Sequence, residues 1–326
     1  MTTPASVQPH AFGAIFIALP PIALFYDNFM STFYLRAIIA PLLLLPLFAQ
    51  AQNPWTRSAG GGFAQIGWNS ISAEKKFIDG VGVPLSRTIQ DNTLGLYAEY
   101  GVRKRFTVIA DLPIKILSVG DTIAHGIETM SRIKLPSEGK LTGLGNIGLA
   151  AKYQLLKNVP LTAQLRVDAP TSSYDATTDL NTGYNALTIS PSLMFGVSGQ
   201  RYFAAVGVGY AYRTAQFNSD VFADAQVGVS FFKKRLYLIL PLTLRAPLLS
   251  SVARTPPAFA NTKGSTTGLY PYAQGYFAFG LKLFGNITPH LGASLYGFVV
   301  GADQSINHQV LAAPSIGGGI SYKWGE

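Results

Sequence analysis

The chain has 326 residues, of which only 13% are charged, with 33 Gly, no Cys and a formal charge of +9; that is too apolar for disorder and long enough for one large domain or two ordinary ones. The absence of cysteine excludes disulfides, thiolate metal sites, Cys nucleophiles and a lipoprotein anchor. No stretch after residue 51 approaches the ~20 consecutive apolar residues of a spanning helix, so any membrane crossing there must use strands.

In chain order, residues 1–29 carry an apolar run broken by Pro20 and Pro21 and read as a non-native extension ahead of a start at Met30, with a long signal peptide and a membrane anchor as the alternatives. Residues 30–51 read as an export signal: Arg36 supplies positive charge, Ala37 to Phe48 the apolar core, and Ala49-Gln50-Ala51 the small-x-small cleavage site. The mature chain then starts at Gln52. Residues 52–60 are expected as a short periplasmic segment and 61–326 as the folded domain.

From about residue 60 the sequence breaks into short runs of period 2. Within them the charged residues Glu99, Asp111, Lys115, Lys152, Arg166, Asp168, Arg213, Asp224, Arg245, Lys282 and Lys323 share one face with small and polar residues. The other face is almost wholly apolar or aromatic. Side chains alternate across a strand, so one face of a large sheet is wet and the other meets oil. The expected fold is all-β, an antiparallel transmembrane β-barrel of about 12 strands.

Connections alternate in length. Short ones lie near 103–105, 157–159, 198–200, 233–235 and 285–288, and long ones near 74–90, 116–142, 171–184, 215–221, 246–267 and 302–309. Outer-membrane barrels have short periplasmic turns and long extracellular loops, which sets the orientation and the location, the outer membrane of a Gram-negative bacterium. Tyr100, Phe106, Tyr153, Tyr202, Phe231, Tyr322 and Trp324 fall on the apolar face at the short-turn ends, as an aromatic girdle at the headgroups does.

Other motifs read as structure. Gly143-Leu144-Gly145-Asn146-Ile147-Gly148 satisfies the dinucleotide-binding pattern, but that chemistry needs a helix N-terminus next, and residues 149–155 keep period 2. His125, His290 and His308 fall in loops or turns without metal-site spacing, so no metal, no cofactor and no catalytic residue is expected. The basic residues concentrate in turns facing anionic headgroups, which argues for outer-membrane lipid rather than nucleic acid as the partner.

The lumen-facing candidates are Tyr97, Glu99, Asp111, Lys152, Arg166, Asp168, Phe203, Arg213, Asp224, Gln226, Tyr237, Arg245, Tyr270, Tyr272, Gln274, Tyr276 and Lys282. In one reading the excess bases bias a pore toward anions and the rings form a mainly apolar pocket. In the other, bases pair with Glu99, Asp111, Asp168 and Asp224 and close a narrow bore. The functions in play are a passive channel or transporter for small, hydrophobic or aromatic solutes, a structural or surface-interaction barrel, and a lipid-modifying outer-membrane enzyme.

Two resemblances add to this. Gly319-Ile320-Ser321-Tyr322-Lys323-Trp324 resembles the C-terminal strand by which the barrel-assembly machinery recognises its clients, although Gly325 and Glu326 follow the aromatic. Ala110-Asp111-Leu112-Pro113, Leu141 to Tyr153 and Thr182-Gly183-Tyr184-Asn185-Ala186 resemble the phenol meta-pathway transporter-like family of outer-membrane barrels, with Asn146 where that family commonly has Asp. The resemblance implies passive movement of small, often hydrophobic compounds across the outer membrane, and it assigns no binding residue.

Overall fold

The computed structural model of the chain describes residues 53–78, 81–122, 138–175, 180–215, 217–248, 275–300 and 310–325. The expected extension and signal peptide lie outside the described residues, as do Tyr270, Tyr272, Gln274, His125 and His308.

Sixteen β segments follow one another: β1 (Gly62–Ile78), β2 (Val81–Arg103), β3 (Phe106–Thr122), β4 (Gly139–Leu144), β5 (Ile147–Gln154), β6 (Leu161–Ala169), β7 (Tyr174–Asp175) and β8 (Leu180–Asn181). Then come β9 (Thr188–Ser198), β10 (Tyr202–Arg213), β11 (Asp220–Phe231), β12 (Leu236–Pro247), β13 (Tyr276–Asn286), β14 (Leu291–Val300), β15 (Val310–Leu311) and β16 (Ser315–Trp324). Each main segment pairs antiparallel with its neighbours, and the sheet closes because β1 pairs with both β16 and β2. Gly62 stands opposite both Trp324 and Tyr100. Segments β4 and β5 both pair with β3 and form one strand broken at Gly145 and Asn146. The pieces β7 and β8 pair only with each other, and β15 is a stub on β1. The wall is therefore a closed barrel of twelve strands, which leaves no sheet edge for the bilayer to desolvate.

Parity carries through to three dimensions. Along β9 the inward Thr188, Ser190, Ser192 and Met194 are buried, while the outward Ile189, Leu193, Phe195 and Val197 are exposed. The same oily exterior continues through Ile66, Leu96, Leu149, Leu165, Val208, Leu240, Leu281, Leu295 and Ile320. A surface this apolar is stable only against lipid. At the short-turn end the exterior carries exposed Tyr100, Tyr153, Tyr202, Phe231 and Tyr322, with Tyr322 and Trp324 stacked at 6.2 Å.

One expectation needs correcting. The stretch 74–90 is mostly strand, since β1 runs to Ile78 and β2 starts at Val81, and β3 likewise extends to Thr122. The polarity inverts on these extensions. Inward Ile71, Ala73, Leu85, Ile89, Leu117 and Val119 form a buried apolar cluster with Leu180, Leu311 and Ala313, while outward Ser72, Glu74, Gln90 and Lys140 are exposed. Above the bilayer the outside meets water and the inside becomes an ordinary core, so a parity rule tuned to lipid stops working there.

The described residues 170–175 and 180–187 turn inward rather than extending the wall. They supply the partners that the second edge of β4 lacks: the Thr182 hydroxyl donates to the Leu144 carbonyl, and the Thr171 hydroxyl to the Gly145 carbonyl at 2.6 Å. Those carbonyls would otherwise be unpaired at the rim of the wall.

Candidate functional site

The stretch from Asn53, expected as a periplasmic segment, lies within the short-turn mouth of the barrel. Gly60 N–H donates to the Gly101 carbonyl and Gly101 N–H to the Gly61 carbonyl, at 2.8 and 2.9 Å, which tie the stretch to β2. Arg57 Nε donates to Glu99 Oε2 at 2.7 Å, and Arg57 N–H to Thr107 Oγ1 at 2.8 Å. Lys152 Nζ donates to the Asn53 carbonyl at 3.0 Å, and the Thr162 hydroxyl donates to the Pro54 carbonyl. Trp55 meets Phe203 edge to face, with ring centroids 6.1 Å apart. Two glycines make room: a Cβ on Gly196 would stand 2.6 Å from Pro54 Cγ, and one on Gly101 would stand 1.9 Å from the Ser58 carbonyl oxygen. The strap thus rests on β2, β3, β5, β6, β9 and β10.

Beside it lies a cavity of about 920 Å³. Its lining runs from Leu311 and Ala313 at the loop end to Gly199, Gln200, Arg201 and Lys234 at the short-turn end. Every described lumen candidate lines it: Tyr97, Glu99, Asp111, Lys152, Arg166, Asp168, Phe203, Arg213, Asp224, Gln226, Tyr237, Arg245, Tyr276 and Lys282.

These residues sort into clusters. Glu99 takes Arg57, the Tyr97 hydroxyl at 2.6 Å and, at 3.9 Å, the Lys152 ammonium. Arg166 bridges Asp111 at 3.0 Å and Asp168 at 2.7 Å. Toward the loop end, Asp220 takes Arg213 at 2.6 Å and Arg245 at 3.3 Å, and each guanidinium also covers a ring: Arg213 lies 4.5 Å from the centroid of Tyr184 and Arg245 5.0 Å from that of Phe222. Lys115 pairs with Asp91 at 2.7 Å. Asp224 departs from its expected role in an ion pair, for it accepts the hydroxyl of Thr243, its cross-strand neighbour on β12.

Sequence reasoning missed Arg57, Asp91 and Asp220. Asp91 has the parity of Glu99, and Asp220 that of Asp224, so both signals were present but lay beyond the strand boundaries drawn. Arg57 stands in a stretch without alternation and carries no such signal. Tyr276 lines the cavity but is buried with Ala278 and Phe298, so its first role is packing.

The opposite wall is aromatic. Phe203, Tyr237 and Phe284 continue from Trp55 at centroid spacings of 6.4 and 6.1 Å, and Tyr296 packs on Phe298 at 5.2 Å. Lumen glycines seat these rings, since a Cβ on Gly228 would stand 2.1 Å from Phe203 and one on Gly317 would stand 2.5 Å from Tyr296.

The glycine-rich pattern has a structural use. Among the described residues no helix follows it, and its strand pairs with β3 on both sides of the break. Gly145 N–H donates to the Pro113 carbonyl at 2.8 Å, a Cβ on Gly145 would press on Pro113, and one on Gly183 would stand 2.8 Å from Asn146. The three separate segments that resemble the transporter-like family therefore meet at one point.

A closed twelve-strand wall, an oily exterior and a lined interior define an outer-membrane β-barrel of the Gram-negative type. A family model described as "Putative MetA-pathway of phenol degradation" matches residues 93–240, and the chain resembles that family over this span. The COG4313 outer membrane channel from Pseudomonas putida F1 has the same fold, with a TM-score of 0.59 at 14% identity, covering 84% of this chain and 98% of that one. The translocator domain of the autotransporter NalP from Neisseria meningitidis aligns at TM-score 0.46 and 10% identity, over 92% and 96% of the two chains. No curated protein is significantly similar in sequence.

Proposed function

We propose that the protein is a passive route for small, largely apolar solutes, aromatic ones included, across the outer membrane. The carrying observation is the cavity of about 920 Å³ beside the strap, walled by Phe203, Tyr237, Phe284 and Tyr296 and reaching the short-turn end. A cavity with an aromatic wall facing convergent polar groups suits a small organic ligand. The lumen ion pairs lie along β2 to β6 and at the loop end of β10 to β12, so they brace the wall and leave this volume unfilled. The strap narrows the same mouth and acts as the restriction on passage. The matched family's description, which names phenol degradation, agrees with aromatic cargo.

This reading assigns transport and no catalytic step. In it the mature chain begins at Gln52, directly ahead of the strap, and β16, ending on Tyr322 and Trp324, is the strand offered to the barrel-assembly machinery. The chain has no cysteine, which makes a clean test available. Gln226→Cys, modified in reconstituted protein with a bulky methanethiosulfonate, is expected to slow influx of phenyl glucoside into proteoliposomes. Unchanged influx after complete modification contradicts a lumen route.

A further inference from the structure

Burial of an ammonium in apolar surroundings is costly unless an anion or hydrogen-bond acceptors meet it. Two described lysines on the strand lumen wall obey that rule: Lys115 has Asp91 at 2.7 Å, and Lys152 has the Asn53 carbonyl at 3.0 Å and Glu99 at 3.9 Å. Lys282 does not. It lines the cavity from β13, and among the described residues its ammonium makes no hydrogen bond and no ion pair.

Its surroundings are oily. Across the ladder it faces Ile239 on β12 and Tyr296 on β14. Phe284, two residues along the same face, stands opposite Tyr237. These rings continue the series Trp55, Phe203, Tyr237, Phe284 that climbs from the strap. Pro241 lies next on the same face of β12 and has no N–H to offer. Among the described residues, an unmatched cation thus tops a cleft of flat aromatic surfaces.

We propose that Lys282 is the anchor of a binding site for a small aromatic carboxylate, whose ring packs among Tyr237, Phe284 and Tyr296 while its carboxylate meets the ammonium. The proposal rests on the reading of the lumen as a solute route and names the class of solute. The anion completes a lumen cation that is unpaired among the described residues, and the rings give the ligand edge and face contacts a compact anion cannot use. Selectivity then comes from the pairing of charge with ring, rather than from either alone.

The test uses the full chain purified in detergent and titrated calorimetrically at neutral pH with benzoate, its neutral analogue benzamide, and acetate. Benzoate is expected to bind about tenfold more tightly than benzamide or acetate, a difference that one charge-assisted contact supplies. Lys282→Met removes the preference for benzoate over benzamide, and Lys282→Arg retains it, with heat-modifiable gel mobility establishing that each variant is folded. Equal benzoate affinity in wild type and Lys282→Met overturns the site, and so does the absence of benzoate binding to the wild type. Acetate binding as tightly as benzoate overturns the aromatic specificity. The lumen route is decided separately by phenyl glucoside influx: binding without influx refutes the route and leaves the site, while influx without benzoate binding does the reverse.

Discussion

Arg57 on the strap and Glu99 on the barrel wall are joined at 2.7 Å, with Glu99 almost completely buried. Removing one partner of a buried pair costs up to about 3–5 kcal/mol, and here less, because Glu99 keeps the Tyr97 hydroxyl at 2.6 Å and the Lys152 ammonium at 3.9 Å. Arg57→Ala is therefore expected to loosen the strap and raise the conductance of the barrel in planar bilayers. Conductance equal to wild type shows that the strap is held without this pair.

The same strap can be displaced without touching a charge. A Cβ on Gly196 would stand 2.6 Å from Pro54 Cγ and 3.1 Å from the Trp55 ring. Gly196→Leu is expected to push the strap from its seat, so that limited proteolysis cuts near Arg57 much faster than in wild type. Cleavage at the wild-type rate means that the strap does not lie on β9.

Gly148, the last glycine of the glycine-rich pattern, faces the Arg166 bridge. A Cβ there would fall 2.1 Å from Arg166 Nη2 and 2.8 Å from Asp168 Oδ1. Gly148→Ala is expected to destabilise the barrel by about 1–3 kcal/mol, the usual cost of overpacking, as read from the urea midpoint in detergent. Gly95, where an added Cβ meets nothing nearer than 4.0 Å, is the control, and Gly95→Ala is expected to have a much smaller effect. Equal shifts in the two variants contradict the assignment.

Leu193 stands midway along β9 with half its surface exposed outward. An arginine at mid-bilayer on a barrel's lipid face costs about 2–4 kcal/mol. Leu193→Arg is expected to lower unfolding stability in lipid by that amount, whereas inward Ser192→Arg is expected to alter passage through the lumen. A small effect of Leu193→Arg on stability places β9 outside the bilayer.

Much of the fold was legible because lipid imposes one rule on every strand. The outward Leu96, Leu149, Leu165 and Leu240 and the girdle tyrosines at 100, 153, 202 and 322 follow from period 2 and connection length alone. The rule fails where lipid ends: Leu85, Ile89 and Leu117 point inward as a core, and the extended β1–β3 were undercounted for that reason. Pairing within the lumen was less legible. Asp224 and Asp220 share a face, yet the arginines gather on Asp220 and Asp224 takes a hydroxyl, because cross-lumen distance depends on stagger that no local pattern records. The setting of Lys282 between Ile239 and Tyr296 and the reach of Arg57 to Glu99 belong to the same kind of information.

Passage of solute through the lumen is tested most directly by the swelling of proteoliposomes in isosmotic phenyl glucoside, with wild type and Arg57→Ala compared side by side. Faster swelling than protein-free liposomes, with Arg57→Ala faster than wild type, is the predicted result. Swelling of both at the rate of protein-free liposomes contradicts the account, because neither the resting lumen nor the unstrapped one would then conduct solute.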